Sequence, residues 1–151
     1  MANSLPYKHI LVWIDGTDAS ERACKAAIEL ARASRCKITG VSVIDTETLG
    51  SLLKQRLLVA DEMKEFEVEL AASAEKYLRN AQDTAKKAGV KMETVMLKGS
   101  ARSAILAERS KMSADLIVMG TFNSADIRRD LTHHGRQLVV DGARCPVLLV
   151  P

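Results

Sequence analysis

Aromatic side chains are nearly missing from this 151-residue chain, which has one Trp, two Tyr and two Phe. Base-stacking platforms for single-stranded nucleic acid need exposed rings, so that class is not expected. The core must instead be built from Ala, Val, Leu, Ile and Met. Cysteines number three, Cys24, Cys36 and Cys145, with no C-x-x-C pair. An odd, widely spaced set reads as reduced small hydrophobes in a cytoplasmic protein. No apolar run approaches about 20 residues, so no membrane span is expected. The opening "MANSLPYKHI" lacks the apolar stretch of a secretory signal. Charge of one sign is also lacking: 22 Lys and Arg stand against 19 Asp and Glu, net +3, and the basic residues are scattered. Without a basic stripe, nucleic acid is not an expected partner.

Catalytic motifs are absent as well. There is no G-x-S-x-G elbow, no G-x-x-x-x-G-K-[ST], and no G-x-G-x-x-G after the first strand. A phospho-receiver domain needs an aspartate ending the third strand, where this chain has Leu97-Lys98-Gly99. His133-His134 invites a metal reading, but adjacent histidines point apart and no third ligand has suitable spacing, so no metal is expected.

What remains is a regular alternation. "HILVWI" (His9–Ile14) is a short apolar run of β-formers that ends at "DGTDAS". Thr17, Asp18 or Ser20 is placed to cap a helix in which Ala23, Ala27 and Leu30 recur at helical spacing. "KITGVSVI" (Lys37–Ile44) reads as the second strand, ended by Asp45. Thr46 to Asp61 has no clean period, with a turn-prone Gly50-Ser51, and reads as a connection carrying a short helical piece. Met63, Phe66, Leu70, Ala74, Tyr77, Ala81, Ala85 and Ala88 then form one continuous stripe, with Gly89 suited to end the helix. "KMETVML" (Lys91–Leu97) is a third strand. Ser100 caps a helix with Ile105 and Leu106 inward. "ADLIVM" (Ala114–Met119) is almost continuously apolar, as a strand buried on both faces should be. A short helix with Leu138 and Val139 precedes the final strand "CPVLLV" (Cys145–Val150).

This order predicts a single domain over residues 1–151. The expected fold is α/β: a doubly wound, parallel five-stranded sheet with helices on both faces. Ligands in such sheets bind beyond the C-terminal strand ends, where strand order reverses. The rule selects Asp15-Gly16, Val43–Asp45 and Met119-Gly120. Asp15 has a plainer reading too, as a turn and cap residue. A tight turn alone would likewise explain Gly120.

"ILVWIDGTDASERACKAAIELA", "ITGVSVID", "ADLIVMGT" and "ARCPVLLV" together resemble the universal stress protein family, in the right order and with suitable spacing. The resemblance covers nearly the whole chain and implies an open α/β sandwich of the adenine-nucleotide α-hydrolase-like type. The nucleotide-binding branch carries G-x2-G-x9-G-[ST] after the fourth strand. Here Gly120 keeps the first glycine, Asn123 takes the second, His133 the third, and His134 the Ser/Thr. Glycines let backbone N–H groups approach phosphate. Asn123 is the mildest change; His133 adds bulk and His134 removes a hydroxyl.

By the resemblance, Asp15 would bond a base or ribose, with Val43 and Met119 packing near the base. Trp13 either stacks on a base or plugs the pocket. Arg128, Arg129 and Arg136, with the histidines, would draw an anion to a helix start at Gly135-Arg136. The implied function is a stress-response regulatory or interaction module, not an enzyme, binding ATP weakly or not at all and requiring no cofactor. The alternative is an ATP- or AMP-binding member with slow ATPase activity. Val147, Leu148, Leu149 and Val150, apolar on both faces at a sheet edge, are expected to pair with the same strand of a second copy.

Overall fold

The run after His9 becomes strand β1 (His9–Trp13) at the centre of the sheet, with Ile10, Leu11 and Val12 fully buried. The computed structural model describes residues 7–55, 59–121 and 129–151, with the side chains of Thr48, Leu52 and 129–135 outside that description. Strands β2 (Lys37–Asp45), β3 (Met92–Gly99), β4 (Leu116–Gly120) and β5 (Val147–Val150) join β1 in the order β3-β2-β1-β4-β5. All pairings are parallel: Ile10 lies opposite Ile38 of β2 and Leu116 of β4, and Ile117 opposite Val147 of β5. The chain leaves β1 toward β2, then returns to β1's other side at β4. That reversal puts the topological switch between β1 and β4.

Helices α1 (Asp18–Ser34) and α3 (Ala60–Lys87) cover one face of the sheet. There Ile10, Val12, Leu116 and Val118 pack with Ala23, Ala27 and Ile28 of α1 and Leu78, Ala81 and Ala85 of α3. Helices α4 (Ala101–Met112) and α5 (Arg129–Gly142) cover the other, where Leu11, Trp13, Ile117 and Met119 meet Ile105 and Val139. β1 and β4 alternate their side chains between two covered faces, which is why they read as unbroken apolar runs. Thr17 is the cap of α1: its hydroxyl accepts the Ser20 N–H at 3.1 Å. Ser100 caps α4 in the same way, accepting from Ser103 N–H.

Three expectations change. The short helical piece expected in the Thr46–Asp61 connection is α2 (Thr46–Lys54), but the turn-prone Gly50-Ser51 lies inside it; burial of Leu49 outweighs the weak helix preference of a glycine. The α3 stripe is not continuous in effect. Ala74, Leu78, Ala81 and Ala85 are buried, yet Phe66 is exposed: only the second half of the 28-residue helix buries its stripe in the core. Helix α5 begins upstream of the expected start, so Gly135 and Arg136 lie inside it and not at an N-terminus. Histidines where the motif has glycine do nothing to break a helix. No helix among the described residues is long and apolar enough to cross a membrane.

Candidate functional site at the sheet switch point

Beyond the C-terminal end of β1 the chain turns at Asp15-Gly16 into α1. The turn is held by its own side chains. The Asp15 carboxylate accepts the Thr17 N–H at 3.0 Å and the Thr17 hydroxyl at 2.7 Å. The Asp15 N–H donates to Ser20 Oγ at 2.9 Å, and the Ser20 hydroxyl donates to the Trp13 carbonyl at 3.4 Å. Asp15 is thus a turn residue, as its plainer reading had it. It is also more than that.

The second Asp15 oxygen accepts from the guanidinium of Arg136, which reaches it from α5. Arg136 is 7% exposed, and its guanidinium carbon lies 5.7 Å from the centroid of the Trp13 ring. Trp13 is itself buried, in one apolar cluster with Met119, and half-buried Val43 packs against that cluster. An arginine over an indole face gains cation–π attraction while its charge is met by the carboxylate. Beyond the end of β1, the Asp15–Arg136 ion pair is therefore laid on the Trp13 ring.

Gly120, at the end of β4, lies against the first turn of α1. A Cβ there would meet Ala19 C at 2.7 Å and Ser20 N at 2.8 Å. Close approach of backbone to backbone, not a tight turn, explains this glycine. On the other side of the Asp15-Gly16 turn, the Tyr77 ring of α3 sits where a side chain on Gly16 would go. A cleft of about 160 Å³ between α1 and α3 is lined there by Ile14, Gly16, Ser20, Cys24 and Tyr77.

The structure thus gathers Trp13, Asp15, Met119, Gly120 and Arg136, with Val43 at the edge of their cluster. Asn123 and Arg128 lie outside the described residues. The backbones of Arg129, His133, His134 and Gly135 belong to α5, and their side chains lie outside the description. Arg136, expected to attract an external anion, is turned to an internal carboxylate instead. Thr17 and Ser20 were foreseen as caps but not as ligands of the Asp15 turn. Tyr77 was foreseen only as part of a helical stripe. Nothing in the sequence marks Arg136 as the partner of a residue 121 positions away.

A family profile described as the universal stress protein family matches residues 6–151. The chain belongs to the universal stress protein family. The universal stress protein MJ0531 of Methanocaldococcus jannaschii is 32% identical over 146 residues, covering 95% of this chain and 82% of that protein. Among solved structures, UspA from Lactobacillus plantarum superposes with a TM-score of 0.77 at 23% identity, over 98% of this chain and 100% of that one. The universal stress protein of Archaeoglobus fulgidus in complex with dAMP matches with a TM-score of 0.67 at 21% identity, over 97% and 100%. The two structural likenesses establish the open α/β sandwich; at 23% and 21% identity they speak to fold alone.

Proposed function

We propose that this chain is a regulatory or interaction module of the stress response that binds ATP weakly or not at all. One observation carries the reading: the carboxylate that would receive a base or ribose already holds the Arg136 guanidinium. A ligand at Asp15 must first separate a shielded ion pair and lift a cation from the Trp13 face, and each step costs free energy. The replacement of motif positions by Asn123, His133 and His134 acts in the same direction. The expected ATP affinity is weaker than about 100 μM, or ~5.5 kcal/mol, by isothermal titration. Micromolar binding to the unmodified protein would overturn the reading.

The nucleotide alternative draws on the dAMP complex of the Archaeoglobus fulgidus protein. Within the proposal it becomes a property of the unlatched chain: Arg136→Ala raises ATP affinity by about ten-fold, or ~1.4 kcal/mol. Assembly belongs to the same reading. Strand β5 is an edge strand, and Leu148 and Leu149 are 39% and 46% exposed. An uncovered apolar edge is stabilised by pairing with its own copy about a two-fold axis. Light scattering should give a dimeric mass for the unmodified protein and a monomer for Leu149→Lys. A monomeric mass before mutation ends the proposal.

A further inference from the structure

The other end of the sheet carries a groove on which the reading above does not depend. It measures about 570 Å³ and opens where β2 and β3 begin, beside the C-terminal ends of α1 and α3. Such a volume falls in the range of small-ligand clefts, roughly 300–1,000 Å³. Ala31 and Ile38 are buried beneath it, and half-buried Val90 is the apolar floor a ligand would meet. The rim is cationic, with Arg32, Arg35, Lys37 and Lys91 against a single carboxylate, Glu93.

These cations are not equivalent. Arg32 is held by Glu29 at 2.8 Å on its own helix. Helix C-termini favour basic residues, which accounts for Arg32 without any ligand. Lys37 opens β2 and Lys91 precedes β3, so neither belongs to a helix. Arg35 is the C-cap of α1, with φ +53°, so the same helix-end preference applies to it, but unlike Arg32 it has no ion-pair partner among the described residues. None of the ion pairs among the described residues engages Arg35, Lys37 or Lys91.

We propose that this groove binds a small phosphorylated ligand, its phosphates held by Arg35, Lys37 and Lys91 and its uncharged part resting on Val90. Phosphate is the anion that several convergent cations recognise, and guanidinium meets it with paired donors. Three unpaired cations around one concavity suit two or three phosphate groups. They do not make the extended stripe that nucleic acid requires.

The groove contains its own reporter. Cys36 lines it, half-buried. Cys24 is buried, its thiol pushed up to about 11 by burial and then by neighbouring Glu21. Cys145 is half-buried and raised chiefly by burial, and serves as the control outside the groove. Alkylation of the full chain is followed residue by residue by peptide mass spectrometry. Inorganic tripolyphosphate or ADP at about 1 mM is expected to slow Cys36 labelling roughly five-fold or more and leave Cys145 unchanged. Protection by tripolyphosphate alone assigns binding to the rim; greater protection by ADP adds the floor. Lys37→Ala combined with Lys91→Ala, two exposed sites, should abolish it. Amide shifts of Gly89 and Val90 during a tripolyphosphate titration give an independent readout should Cys36 prove unreactive. Absence of both protection and shifts overturns the proposal, as does protection that survives in the double variant. Neither result bears on Arg136, whose variant is read by ATP titration.

Discussion

At the C-terminal ends of the strands, Asp15 and Arg136 meet each other's charge, and Gly120 lets α1 close against β4. At the N-terminal ends, Arg35, Lys37 and Lys91 surround an open groove, and no atom would lie within 4 Å of a Cβ on Gly89. The two ends belong to one sheet, yet among the described residues one end, the closed one, pairs its charges internally, and the other, the open one, leaves its cations to solvent. Family resemblance directs attention to the closed end. The cations available to an external anion are at the open one.

The comparison can be broken most sharply with glycine. Gly120→Ala forces a methyl into the backbone of Ala19 and Ser20, and backbone cannot swing aside. It is expected to cost roughly 3 kcal/mol and about 10 °C in Tm. Gly89 has φ +77° with open space around it, so Gly89→Ala carries strain alone, about 1 kcal/mol or ~3 °C. Equal losses in thermal denaturation would show that the closed end is no more tightly packed than the open one.

How much of this was legible in the chain depends on what each feature rests on. The strands were, because β1 and β4 bury both faces and so spell continuous apolar runs. Thr17 and Ser100 were, because a cap is set by a few neighbouring residues. The extent of α3 packing was not: a stripe at Met63 and Phe66 marks a face of the helix but not how far along it burial extends. The Asp15–Arg136 pair was not, since it depends on how α5 docks and not on any local pattern. The groove was hidden for a similar reason. Arg35, Lys37 and Lys91 look scattered until β2 and β3 align side by side.

Ion pairs sharpen the comparison at the next level. The side chains of Arg136 and Asp15 are 9% and 22% exposed, so removing the cation leaves a shielded carboxylate with only Thr17. Arg136→Ala is expected to lose about 2 kcal/mol while ATP affinity rises. Arg32 and Glu29, at the open end, are 59% and 61% exposed. Arg32→Ala should lose less than about 0.5 kcal/mol, because water screens the pair. Urea titrations of the two variants measure the difference directly, and similar midpoints would refute it.

The smallest expected effect lies at the open end and depends on pH. Asp115 joins the starts of β1 and β4: its carboxylate accepts the Lys8 N–H at 2.9 and 3.1 Å and the His9 N–H at 3.0 Å. Burial alone would raise its pKa, but those amides, helped by the nearby His9 ring, outweigh it and hold the group below the ordinary 3.8. A carboxyl lowered in the folded state binds its proton more readily when unfolded. Its contribution is therefore complete above the unfolded value near 3.8 and is lost as pH falls through the folded value. Asp115→Asn keeps one amide oxygen as acceptor but cannot ionise. The variant should be slightly less stable than the unmodified protein at pH 7, and the gap should narrow on acidification below about pH 4. Thermal melts across that range test it. A gap that stays constant from neutral pH to pH 3 would mean that the carboxylate's charge contributes nothing there, and that only its hydrogen-bonding shape joins the two strands.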